Sequence, residues 1–151
     1  RFAGWWNHNK ETRFNMRQPF DVMQGAEGWQ LSNPPILSMA AIKASLDLFD
    51  EVGMDALREK SEKLTGYFEF LINEIDSHDI KIITPKNPKE RGCQLSIQVK
   101  NADKNLHKKL TQNNIITDWR EPDVIRCAPV PMYTSFEDVY RMVTILQTLL
   151  K

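Results

Sequence analysis

The clearest periodic stretch runs from about Asp55 to Asp76, where Leu57, Leu64 and Leu71 recur at sevens and Ser61, Phe68 and Ile75 fall between them. That spacing predicts a helix with one continuous stripe, packed on one face. Before it, Ile36, Leu37, Ala40, Ala41, Ala44 and Leu48, with Met39, Ile42 and Phe49, predict a helix from Pro34 to about Asp50 that is apolar over most of its circumference. Such a helix is expected to be buried on several sides, and Gly53 is placed to end it with a left-handed residue. Further on the period changes to two. Ile80 to Thr84 predicts a short strand stopped by Pro85, and Cys93, Leu95, Ile97 and Val99 alternate with Gln94, Ser96 and Gln98 as a half-buried strand. The charged segment between them, Pro85 to Gly92, reads as a mobile loop.

Leu106 and Leu110 mark a modest helix ending at Asn113-Asn114, and Ile115 to Thr117 and Val124 to Ala128 read as strands around Glu121-Pro122-Asp123. A last helix follows Ser135, which with Asp138 resembles a capping box; Phe136, Val139, Tyr140, Val143, Leu146 and Leu150 then recur at helical spacing. Residues 55–151 therefore read as helix, two strands, helix, two strands, helix. This is an α+β arrangement, a mixed or antiparallel sheet of about four strands covered on one face by helices.

Residues 1–33 have no such period. They are rich in Gly, Asn, Gln and aromatics, with Arg17-Gln18-Pro19 and Gly25 to Gly28 as breakers, and read as loop with short extended pieces. Trp5, Trp6, His8, Arg13, Phe14 and Trp29 crowd into this segment without an amphipathic pattern, and aromatic and polar groups on irregular backbone are more often a site than a core. It ends in Leu31-Ser32-Asn33-Pro34-Pro35-Ile36, where two prolines open a helix and Asn33 is the candidate cap. A bare Asn-Pro-Pro reads first as a cap. Its neighbourhood adds the reading of Ser32 and Asn33 as rigidly held contact groups.

Composition narrows the function classes. One domain's length, 151 residues, carries twenty basic and twenty acidic side chains, formally neutral and interspersed, which points to neither nucleic acid nor an anionic membrane as partner. No run approaches the ~18 apolar residues of a membrane span, so a cytoplasmic protein is expected. Cys93 and Cys127, each among strand-like residues, read as buried free thiols, and His8, His78 and His107 fit no ligand spacing, so no metal is expected. The missing initiating Met and the start in a Trp-rich loop suggest a piece of a longer protein. Arg126 interrupts an apolar strand: it is either an anion ligand with a fork suited to a carboxylate, or an edge arginine reaching water or a structural glutamate. Tyr133 reads as core or interface packing, Arg91-Gly92-Cys93 as a turn into a strand, and Gly66 as a close helix approach.

Taken together, Gly4-Trp5-Trp6-Asn7-His8, Arg13-Phe14, Gly25 to Gly28, Leu31 to Leu37, Leu64-Thr65-Gly66-Tyr67, Ile82 to Pro85, Arg91 to Leu95 and Ile125 to Pro131 resemble, in order, the C-terminal part of kynureninase. The resemblance implies a pyridoxal-phosphate enzyme of the aspartate-aminotransferase fold type, usually a homodimer, that cleaves kynurenine or 3-hydroxykynurenine with water to an anthranilate and alanine, in tryptophan catabolism and NAD biosynthesis. It implies that Trp5 and Asn33 contact the cofactor, Trp5 through the phosphate, that Arg126 holds the substrate α-carboxylate, and that His8, Trp6, Ser32 and Phe14 lie near the substrate ring. It also implies residues 1–33 as the end of a large cofactor-binding domain, 34–54 as a linking helix and 55–151 as a small domain. In the family the Schiff-base lysine and most of the phosphate cup precede the Trp-Trp motif, so this chain alone is expected to be inactive. Asn7 stands where a glycine is expected, which opens the question of that loop's backbone. Two other readings are a relative of aminotransferases or cysteine desulfurases, and a stand-alone small-molecule-binding module that uses Arg126 without a cofactor.

Overall fold

The seven-residue stripe builds the core of the second half of the chain. In a computed structural model that describes residues 1–15 and 19–150, it lies on helix α2 (Met54–Asn73), which buries Leu57, Ser61, Leu64, Thr65, Phe68 and Ile72. Ile75 is buried just beyond the helix, and Leu71 is only half-buried. The chain divides into two compact units, Arg1–Glu51 and Val52–Lys151. The expected break at Arg17-Gln18 lies outside the described residues.

In the second unit, strands β1 (Ile80–Ile82), β2 (Leu95–Val99), β3 (Asp118–Arg120) and β4 (Val124–Cys127) form one antiparallel sheet in the order β1-β2-β4-β3. Alternation along β2 sends Leu95, Ile97 and Val99 into the core and leaves Ser96 and Gln98 on the other face. Those buried side chains meet α2, helix α3 (Lys104–Gln112) and helix α4 (Phe136–Leu149) on one side of the sheet. Leu64, Leu95, Ile97, Leu110, Ile125 and Leu146 are wholly buried, each worth about 1.5–3 kcal/mol in transfer terms. The capping box is present: Asp138 N donates to Ser135 Oγ, and Asp138 Oδ2 accepts from Ser135 N.

Several expectations need correction. The strand expected at Ile115–Thr117 begins at Asp118, because α3 ends in a Schellman turn. Asn114 adopts φ 61°, its N–H reaches Thr111 O, and the Ile115 N–H reaches Leu110 O. Ile116 is left exposed. The segment Pro85 to Gly92 is tied down rather than loose: Arg58 donates to the carbonyls of Pro88 and Arg91, and buried Arg91 donates to Glu69 Oε2 at 2.7 Å and to Pro85 O. Cys127 is buried but Cys93, which precedes β2, is only half-buried. A Cβ on Gly66 would meet nothing within 4 Å, so no close approach requires that glycine. Tyr133 is exposed.

In the first unit, helix α1 (Ile36–Val52) buries none of its residues. The periodicity defines an apolar circumference without supplying what covers it, and the expected burial is absent in this chain. Gly53 does end α1 at positive φ, 83°. The helix also starts later than Pro34. Pro35 O accepts the first helical bond, from Met39 N, while each residue before a proline is pushed toward extended backbone. Asn33 therefore lies outside the helix and is not its cap.

Candidate functional site

Asn7 organises the aromatic segment of the first unit. It is fully buried, its Oδ1 accepts from Gly4 N at 2.8 Å, and its Nδ2 donates to Phe2 O and Gly28 O. Its own carbonyl accepts from Met23 N, and His8 pairs with Val22 as an isolated antiparallel bridge. The two glycines beside this knot are obligatory. A Cβ on Gly4 would stand 2.3 Å from Leu31 O, and one on Gly28 would stand 2.1 Å from Met23 O. Asn7 is absent from the residues with positive φ, so the position where a glycine was expected has no backbone need for one.

On this frame the candidate side chains pair off. Trp5 and Phe14 meet edge to face at 5.3 Å between centroids. Trp6 Nε1 donates to Asn33 Oδ1 at 2.5 Å, and the guanidinium of buried Arg13 lies over the Trp6 ring at 5.2 Å. An indole nitrogen only donates, so Asn33 must turn its oxygen to Trp6 and its amide donors elsewhere. His8 packs beside Phe20 and approaches Thr12 Oγ1 at 3.5 Å. Ser32 is exposed, its carbonyl taking a bond from Gln30. Trp5, Trp6 and Phe14 are all partly or largely exposed. Six of the seven candidate residues thus share the first unit.

The seventh, Arg126, stands in the second unit on the sheet face opposite the helices, flanked by Asp118 of β3 and Ser96 of β2. Its Nε and Nη2 both donate to Asp118 Oδ2, and Arg120 Nη2 lies 3.0 Å from the same oxygen. The hydrogen bond from Arg126, with the charges of both arginines, holds the Asp118 carboxyl below its ordinary range. Asp118 and Arg120 were missed from sequence, although centring the β3–β4 turn on Pro122 would have placed residue 118 opposite residue 126. Burial pushes the neighbouring Cys127 thiol up to about 12, so it stays protonated. The second unit also has a cavity of about 510 Å³, lined by residues such as Phe68, Thr117, Cys127, Tyr133 and Arg141, but no candidate residue opens into it. Among the described residues no cluster of His, Cys, Asp or Glu could hold a metal, and no helix is long and apolar enough to cross a membrane.

The sequence pattern of the family described as Kynureninase C-terminal domain matches residues 57–146. Kynureninase of Myxococcus xanthus (strain DK1622) is 54% identical over 147 residues, covering 97% of this chain and 34% of that protein. Kynureninase of Koribacter versatilis (strain Ellin345) is 53% identical over 143 residues, 95% of this chain and 34% of the relative. The chain spans about a third of the length of the curated relatives it matches. Among solved structures, a C-DES mutant with glycine covalently linked to its PLP cofactor superposes with a TM-score of 0.70 at 15% identity, covering 97% of this chain and 37% of that one. A NifS-like protein gives 0.66 at 16% identity, over 89% of this chain and 40% of that one. At such identities these two speak for the fold alone.

Proposed function

The chain belongs to the kynureninase family, and from that premise we propose that it is the C-terminal part of a pyridoxal-phosphate hydrolase that cleaves L-kynurenine or 3-hydroxykynurenine to the anthranilate and L-alanine. The observation that carries the reading is Arg126, a guanidinium on an open sheet face with donors left over after Asp118 is satisfied. An α-amino acid substrate presents a carboxylate, and that is the anion a planar fork matches. Residues 1–33 are the end of the large domain, 34–54 the linking helix and 55–151 the small domain in this reading, which carries with it a cytoplasmic homodimer.

The donor set of the first unit suits the phosphate of the cofactor. Trp5 offers an indole N–H on a half-exposed ring, and Asn33, with its oxygen held by Trp6, has only amide donors to offer. Both are what a phosphate oxygen accepts from. Pyridoxal phosphate, when bound, would supply the electron sink for breaking the bond between the substrate's side-chain methylene, which leaves in alanine, and its keto carbon, which becomes the carboxyl of the anthranilate. Trp6 and Phe14 present apolar faces suited to an aromatic ring, while His8 and Ser32 offer polar groups to its substituents. Lys10 is paired with Glu27 at 3.3 Å and stands after the Trp-Trp motif, so it is no substitute for the family's cofactor-bonding lysine.

The test is release of anthranilate, followed by fluorescence, from kynurenine with pyridoxal phosphate. Full-length protein is expected to turn over and the 151-residue chain to be inactive. A folded, cofactor-loaded full-length protein that leaves kynurenine untouched would sink the assignment and favour a related pyridoxal-phosphate activity.

A further inference from the structure

The register of β3 on β4 places Asp118 directly across from Arg126, and both project on the sheet face away from the helices. Arg126 Nε donates to Asp118 Oδ2 at 2.8 Å, and Nη2 donates to the same atom. A guanidinium carries five N–H groups in a rigid plane, with two edges that can each present a pair of parallel donors. The side edge, formed by Nε and the near N–H of Nη2, is occupied. The end edge, formed by Nη1 and the outer N–H of Nη2, is the remaining one. The Arg126 side chain keeps 33% exposure, and among the described residues its hydrogen bonds come from Nε and Nη2.

A buried or half-buried carboxylate beside a substrate-binding arginine could simply neutralise it. Arg120 prevents this. It shares Asp118 Oδ2 at 3.0 Å, so the cluster of two arginines and one aspartate keeps a net positive charge. Residues 118 and 120 lie on the same face of β3 because strand side chains alternate. The three groups therefore combine a fixed orientation with an attractive field.

We propose that Asp118 is a positioning residue for Arg126: it locks the side edge of the guanidinium so that the end edge receives the substrate α-carboxylate, and Arg120 keeps the locked cluster cationic. The inference rests on the assignment of Arg126 to that carboxylate. Without the lock, a long flexible side chain must be ordered by the substrate itself, at an entropic cost that appears in binding.

The experiment uses full-length holoenzyme carrying Asp118→Ala, Asp118→Asn or Asp118→Thr, and separately Arg120→Gln. Ala, and Thr as a strand-compatible side chain too short to reach, are expected to raise KM for kynurenine by about tenfold while kcat and the cofactor absorbance spectrum change little. Asn retains an acceptor for the Nε–H and should restore most of the loss. Arg120→Gln should raise KM more at low than at high ionic strength, because its contribution is one of field. Unchanged KM in a folded Ala or Thr variant would overturn the proposal, and so would a lower KM, which would make Asp118 a competitor of the substrate. Nitrogen-15 spectra of labelled arginine give a readout independent of turnover. The Arg126 Nε–H should be protected from exchange in the unaltered protein and with Asn, and unprotected with Ala or Thr. An unprotected Nε–H in the unaltered protein refutes the lock even if kynurenine is not the substrate, whereas a protected one with no turnover refutes only the substrate assignment.

Discussion

The Asn33 side chain has a single carbonyl oxygen, and the structure gives it to Trp6. Replacing Trp6 with Phe keeps an aromatic ring but removes the N–H together with the pyrrole half of the indole, so Asn33 is free to flip and the amide donors lose their direction. The expected outcome is a rise of about threefold to tenfold in the dissociation constant of pyridoxal phosphate, measured by fluorescence titration of the full-length protein, since one hydrogen bond is worth ~0.5–1.5 kcal/mol net. Unchanged affinity would remove Trp6 from this role. The two cysteines divide just as plainly. With its thiol pushed to about 12 by burial, Cys127 should resist iodoacetamide at pH 8, while half-buried Cys93 is alkylated; mass mapping of the peptides checks the order. Some of this was legible in the sequence and some was not. The crowd of aromatic residues before Asn33 marked a site because it obeyed no period, but nothing in that pattern told which side chain would hold which. Asn7 shows the limit well: a departure from an expected glycine became the buried knot of the loop, since an amide can satisfy three backbone groups that a glycine leaves to others.

At the scale of elements, strong periods were readable and boundaries set by backbone hydrogen bonding were not. The stripe of α2 and the alternation of β2 follow directly from residue spacing. The start of α1 and the start of β3 were displaced by two consecutive prolines and by a Schellman turn, both local effects that hydrophobic periodicity does not encode. The tie between Arg91 and Glu69 is another such case, because a charged run reads as loop until its long-range partner is known. The Arg91 side chain is 2% exposed and that of Glu69 18%, with Arg91 Nε unpartnered among the described residues. Removing the carboxylate strands the more buried charge, so Glu69→Ala should cost about 3 kcal/mol in urea unfolding, and Glu69→Gln less because an acceptor remains. A loss below ~0.5 kcal/mol would reduce the tie to a surface ion pair. The cap of α4 gives a pH dependence. Hydrogen bonds from Ser135 hold the Asp138 carboxyl below its ordinary range. A depressed carboxyl contributes stability that is fully present above its unfolded pKa and is lost as pH falls through its folded value. The contribution should therefore be constant at neutral pH and disappear only in acid; thermal melts of Asp138→Ala, which removes the titrating carboxyl, and of the unaltered protein should be separated near neutrality and draw together at low pH.

For the whole molecule the decisive fact is a 17-residue helix with a largely apolar sequence and no buried side chain. Met39, Ile42, Leu46 and Phe49 recur at helical spacing and all are exposed, which joins them into an apolar stripe of the kind that marks an interaction surface. The period announced the helix, but the burial expected with it is absent among the described residues; a cover for this face would have to come from further polypeptide or from another molecule. Two consequences separate these. Alone, the chain should self-associate, and Ile42→Glu with Leu46→Glu should return it to monomer in sedimentation velocity, leaving the unfolding of the Val52–Lys151 core unchanged. In the full-length protein the same pair should instead destabilise, by several kcal/mol, because charges would enter a covered apolar face. If the double variant is neutral in both, α1 is a tolerated exposed helix and the assignment of 34–54 as a buried link between domains falls with it. If it is neutral alone and destabilising in a longer protein, the covering surface lies outside these 151 residues.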